Sequence, residues 1–192
     1  MYVDSHCHLN FPDLKNDLPG VLERMRQNQV THALLASVTM PSWPGLMEIV
    51  EATPNLWGSV GVHPDEEDTP EPDVAELVKL AQHPKVVAIG ETGLDYYRLS
   101  EPLDWQRERF RCHIRAAREA GLPLIIHTRN SAADTVRILA EEGAQEIGGV
   151  MHCFTETWDI ARQAIDLNFY ISMSGIVTFK SARVVHEVAT NT

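Results

Sequence analysis

Val86-Val87-Ala88-Ile89-Gly90-Glu91 is a run of apolar and small residues that ends in an acid. A strand with one wet face alternates polar and apolar side chains. A run without that alternation belongs to a strand covered on both faces, as in parallel sheets flanked by helices. Glu91 is therefore expected to be buried. An ionised carboxylate in such a position costs several kcal/mol unless something pairs with it, so Glu91 requires a metal ion, an arginine or lysine partner, or a proton of its own.

Outward from this run, short stretches rich in Val, Ile and Leu recur along the chain. We expect strands at residues 2–9, 33–38, 56–62, 86–91, 124–128, 149–153 and 170–174, separated by longer segments with helical signals. Pro19 stands near one helix start, Ser42 with Pro44 opens another, and Pro102 leads a long amphipathic segment that stops at Gly121; Gly143 ends the next. In the long segment Phe110, Ile114 and Ala117 suit a stripe against the sheet, while Glu108, Arg109, Arg115 and Glu119 are expected on the solvent face. Residues 65–73 (DEEDTPEPD) read as an irregular acidic loop. From His6 to Ser172 the units recur every ~28 residues, close to the roughly 30 of a βαβ module. This spacing predicts an α/β chain of the (β/α)8 TIM-barrel type with about seven βα units, whereas a closed barrel takes about 250 residues. An eighth strand is expected to be missing, so residues 1–192 read as one barrel domain, C-terminally truncated.

With 44% hydrophobic residues in 192, the chain can bury a core of that kind. No stretch approaches the roughly 18 apolar residues of a membrane span, and the start turns polar at Asp4, Ser5 and His6, so a cytoplasmic chain is expected. Cys7, Cys112 and Cys153 are odd in number and without paired spacing, which argues against a disulfide framework and a cysteine-rich zinc site. A net charge of −11 argues against coating nucleic acid through a broad basic surface. It leaves room for a nuclease, because a pocket holding divalent cations is locally positive whatever the total.

Side chains alternate along a strand, so His6 and His8 face one side of the first strand and Cys7 the other. Such a pair can present two imidazoles to one metal or stand exposed at a strand end. His127 ends Pro123-Leu124-Ile125-Ile126, and His152 ends Gly148-Gly149-Val150-Met151, each where strand becomes loop. Four histidines and Glu91 thus fall at the C-terminal ends of strands, the rim where barrel enzymes assemble their sites, and together they form a metal-ligand set. His63, in Gly61-Val62-His63-Pro64, is on the same rim and either contacts substrate or ligands or caps its loop. Asp95 either holds a ligating histidine or caps a turn. Arg129 is the leading basic residue for an anionic substrate group, ahead of Arg98 and Lys180, each with a salt bridge as the alternative. His32, placed before its strand, and His83, His113 and His186 are assigned no function.

In chain order, Val3-Asp4-Ser5-His6-Cys7-His8-Leu9, Gly61-Val62-His63-Pro64, Gly90-Glu91-Thr92-Gly93-Leu94-Asp95-Tyr96-Tyr97, Ile126-His127-Thr128-Arg129, Met151-His152-Cys153-Phe154 and Ser174-Gly175-Ile176-Val177-Thr178-Phe179-Lys180 resemble the TatD family of metal-dependent deoxyribonucleases. The resemblance implies a dinuclear catalytic centre bridged by Glu91, with His6 and His8 on one divalent ion and His127 and His152 on the other. It implies hydrolysis of DNA or oligonucleotide ends by a protein that is a monomer when full length, with no membrane partner. Two departures stand out. The family usually carries a second histidine two positions after the one matching His63, where this chain has Asp65, and no residue here matches the metal-ligating aspartate of the family's last strand. Reduced metal affinity and activity are expected for that reason.

The ligand set suits zinc, magnesium or manganese. Two other functions compete. One is an amidohydrolase acting on a small cyclic amide or ester; many relatives of that kind bridge their metals with a modified lysine on the fourth strand, where this chain has Glu91 and keeps Lys85 at the other end. The other is an inactive fragment whose open strand edge pairs with another chain.

Overall fold

The computed structural model describes residues 1–97 and 103–192. Arg98 and Pro102 lie outside the described residues. The strands are β1 (Tyr2–Cys7), β2 (Val30–Leu35), β3 (Leu56–Val60), β4 (Val86–Asp95), β5 (Leu124–Arg129), β6 (Gly149–Met151) and β7 (Phe169–Ile171). They form one sheet in the order of the chain, and every neighbouring pair is parallel. Helices α1 (Pro12–Lys15) and α2 (Leu18–Gln27) join β1 to β2, and α3 (Trp43–Ala52), α4 (Val74–Ala81), α5 (Asp104–Ala120), α6 (Ala132–Glu141) and α7 (Trp158–Asp166) make the later crossovers. Helix α8 (Arg183–Asn191) follows β7.

Parallel crossovers are right-handed. Because the strand order never reverses, each crossover lays its helix on the same face, and the sheet curls around the other as an incomplete (β/α)8 barrel. Helix α5 shows how the packing follows from sequence. Phe110, Ile114 and Ala117 recur at helical spacing and are all fully buried, each large apolar side chain contributing about 1.5–3 kcal/mol of burial. The helix stops at Gly121, which adopts the left-handed conformation that lets a chain leave a helix. No helix among the described residues is long and apolar enough to cross a membrane.

Several expectations need correction. His32 lies inside β2 rather than before it. Arg109 is 3% exposed instead of solvated. Strand β4 runs on to Asp95 rather than stopping at Glu91, with Gly93 paired to His127 and Asp95 to Arg129. The continuation depends on Gly93: with φ at +136°, a Cβ there would sit 2.0 Å from the His127 carbonyl oxygen. A glycine inside the strand here permits a close backbone approach. Conversely β6 and β7 are shorter than expected, which leaves His152 just beyond its strand.

Candidate metal centre

In β1 the alternation works as the spacing predicts. The Cys7 side chain packs against the core, its thiol donating to the Leu34 carbonyl, while His6 and His8 point together to the other side. There His6 Nε2 and His8 Nε2 are 3.2 Å apart, and Glu91 Oε2 is 3.2 Å from the first and 3.9 Å from the second. A second group lies on the other side of the same carboxylate. His63 Nε2 and His127 Nδ1 are 3.3 Å apart, at 3.8 Å and 3.5 Å from Glu91 Oε1. Each oxygen of Glu91 thus faces one convergent set of donor atoms. Glu91 itself is 4% exposed.

The outer ring nitrogens of three of these histidines have fixed partners. His8 Nδ1 meets the Ala36 carbonyl at 3.2 Å, His127 Nε2 meets Asp95 Oδ2 at 2.9 Å, and His63 Nδ1 is hydrogen-bonded to Asp65 Oδ1. When the outer nitrogen donates, the inner one presents its lone pair, the arrangement that metal-binding histidines use. Asp65, one of the two departures from the family pattern, thereby becomes the carboxylate that orients His63. Inward-facing imidazole lone pairs around a carboxylate suit a divalent cation. His6 Nδ1 is buried without a hydrogen-bond partner.

Electrostatics follows the same geometry. Burial pushes the Glu91 carboxyl up, but hydrogen bonds with His127 and His6 and the charges of His6 and His63 outweigh it and hold the group well below the usual carboxylate range. Burial also lowers His127, yet Glu91 and Asp95 outweigh it and raise the ring above the usual value. Burial and the neighbouring His6 lower His8, and the same causes bring His152 down to about 4. His152 stacks face to face on His6, with ring centroids 3.4 Å apart. It lines the same cavity, of about 420 Å³, but is outside both donor groups.

Of the other expected site residues, Asp95 is buried and holds His127, and Arg129 lines the cavity with its guanidinium 3.7 Å above the Tyr97 ring. Lys180 is exposed and away from the cavity. Lys85 is at the opposite end of β4 from Glu91, where its ammonium donates to the carbonyls of Val50, Thr53 and Leu56. It is therefore committed to the end of α3.

Sequence reading missed the support behind the site. Gln106, Arg109 and His113 are at most 3% exposed and lie on one face of α5. Gln106 accepts from the Asp95 amide and donates to the Pro64 carbonyl, Arg109 donates to the carbonyls of His63 and Glu66, and His113 Nε2 accepts from the Val62 amide. The loop carrying His63 and the end of β4 carrying Asp95 are held by one helix. The signal was present in the spacing, since positions i, i+3 and i+7 share a helix face.

Comparisons with known proteins agree with this geometry. A family model described as TatD related DNase matches residues 3–192. The chain is 43% identical to YabD of Bacillus subtilis, an uncharacterized metal-dependent hydrolase, across 98% of its own length and 74% of that protein's. It is 29% identical to a protein of Edwardsiella piscicida named 3'-5' ssDNA/RNA exonuclease TatD, across 90% of this chain and 67% of the other. The crystal structure of YjjV, a TatD homologue from Escherichia coli K12, shares the fold with a TM-score of 0.86 at 24% identity, covering 93% of this chain and 70% of that one. Its histidine-lined, carboxylate-centred rim and its near full-length match place the chain in the TatD related DNase family, whose hydrolytic, metal-dependent character it shares.

Proposed function

We propose that this chain hydrolyses phosphodiester bonds at the ends of DNA or oligonucleotides, using two divalent ions bridged by Glu91. The observation that carries the reading is the division of the Glu91 carboxylate, one oxygen toward His6 and His8 and the other toward His63 and His127. When bound, such ions supply Lewis-acid chemistry, acidifying water and neutralising charge on a phosphodiester. The protein's own contribution is to hold the donor rings in fixed tautomers through Ala36, Asp65 and Asp95. Arg129 is the phosphate contact: no carboxylate among the described residues pairs with it, and its planar guanidinium suits phosphate oxygens. The name of the Edwardsiella relative supports a nucleic-acid substrate. Lys85, bound to helix carbonyls, is unavailable as a bridging lysine, which disfavours the cyclic-amide alternative. In this reading residues 1–192 belong to one hydrolase domain, and the three free thiols suit the reducing cytoplasm.

The test is an end-labelled single-stranded oligonucleotide incubated with the chain in zinc, magnesium or manganese. Shortening from one end, abolished by chelator and by His127→Ala, is expected. Hydrolysis of a cyclic amide without phosphodiester cleavage, or no change in His127→Ala, would sink the reading.

The ligand set itself divides on two residues. We take His152 as a ligand together with the five side chains of the two donor groups. His63→Ala is expected to weaken binding of the second ion by roughly a hundred-fold or more, since even partners outside the ligand shell are worth about 10- to 100-fold. Elemental analysis and calorimetric titration read this directly. Two ions bound at unchanged affinity in His63→Ala would leave His63 as a substrate contact, and the same result in His152→Ala would remove His152 from the set.

A further inference from the structure

Phe11 is hard to explain as a structural residue. It occupies the N-cap of α1, where Ser, Thr, Asp or Asn would satisfy a free amide and an aromatic cannot, and it makes no side-chain cap. It is outside the hydrophobic core and is 43% exposed. A turn closed by its amide on the His8 carbonyl, at 3.0 Å, places its ring on the wall of the metal-ligand cavity. One ring face lies against the His8 imidazole, with centroids 4.8 Å apart and planes 18° from parallel. From the loop after β4, three strands away, comes a second exposed aromatic, Tyr97, 62% exposed and with the Arg129 guanidinium over its ring.

We infer that Phe11 is a base-stacking residue, and that with the Arg129–Tyr97 pair it selects the terminal nucleotide of a single strand. The inference rests on the phosphodiester reading above and adds to it the feature that the metals do not recognise. A phosphodiester needs cations; a rim aromatic beside it offers a surface for something flat and apolar, and a nucleobase is attached to every such phosphate. Stacking requires a base free of its duplex partner, so the fitting substrate is a single-stranded or frayed end. Among the described residues that line the cavity, Arg129 is the only lysine or arginine, while Asp65 and Glu66 add negative charge. One cationic side chain cannot track a long backbone, which again points to an end. Because every base has a π-face, the four bases should be bound alike.

The experiment measures fluorescence anisotropy of a labelled single-stranded oligonucleotide with phosphorothioate linkages, in manganese, ending either in a normal nucleotide or in an abasic residue. The wild-type chain is expected to prefer the normal end by about ten-fold or more, the usual worth of one stacked base. Phe11→Ala and Phe11→Leu should reduce that preference to less than about two-fold, and Phe11→Tyr should retain it. A preference that survives in Phe11→Ala overturns the inference, as does one whose loss tracks loss of bound manganese, which would make Phe11 a support for His8. If the wild-type chain binds manganese but neither oligonucleotide, the nucleic-acid reading itself fails and takes this one with it.

Discussion

Glu91→Gln is expected to abolish simultaneous binding of two divalent ions and to lower hydrolytic turnover by roughly 10³-fold, about 4 kcal/mol of transition-state stabilisation. The amide keeps the volume and the backbone geometry but has one oxygen, and the atom replacing the other is an NH₂ that repels a cation. Since each carboxylate oxygen faces a different histidine pair, one of the two groups loses its anionic donor whichever way the amide turns. The remaining histidines are neutral ligands and must hold a dication with no carboxylate between the two groups, only Asp65 and Asp95 behind the rings, in a buried site. Glu91→Asp separates charge from reach: it retains the charge but withdraws it by one methylene, so it should bind metal more weakly than wild type and more strongly than Glu91→Gln. Unfolding with and without chelator adds a second readout, because metal that binds only the folded chain stabilises it. That stabilisation should shrink in Glu91→Gln. Two tightly bound ions and near wild-type turnover in this variant would end the bridging assignment.

The residues of this centre differ in how far they could be read from sequence, and the difference has a physical basis. His6 and His8 were legible because strand alternation is local, and Glu91 because a buried acid needs a partner within reach. Asp95 was legible as one of two possibilities, decided only when β4 proved to continue past Gly93 and set its carboxylate 2.9 Å from His127. His63 was placed on the correct rim, but its convergence with His127 depends on the curl of the sheet, which brings together strand ends on either side of β4. No local pattern encodes that curl. Arg109 was misread because charge on an amphipathic helix ordinarily means solvent, whereas here Glu71 and two loop carbonyls satisfy the buried guanidinium. Phe11 was passed over because a single exposed aromatic is unremarkable until its neighbours are known.

His113 makes acid a specific threat to this architecture. The ring is fully buried, with Nδ1 donating to the Arg109 carbonyl at 2.8 Å and Nε2 accepting from the Val62 amide at 3.0 Å. Burial, opposed only in part by the hydrogen bond to the Arg109 carbonyl and by Glu71 and reinforced by the Arg109 charge, brings its pKa down to about 4. The unfolded ring titrates near 6.5. The folded state therefore binds fewer protons than the unfolded one between these values, and stability that is complete above pH 6.5 is lost as pH falls toward 4. One group contributes about 3 kcal/mol of loss over that window. Many other groups titrate there, so the prediction concerns a difference. His113→Gln removes the titration while offering an oxygen to Val62 and an amide to Arg109. At pH 7.5 it should be less stable than wild type by about 1–2 kcal/mol, the cost of an imperfect buried replacement. By pH 4 that gap should close or reverse, because only the wild type carries the penalty of charging the ring. Urea unfolding at several pH values measures both curves; parallel curves would show that His113 titrates normally in the folded protein. The consequence reaches the centre directly, since a charged ring can no longer accept from Val62, the residue that sets His63 in place opposite His127.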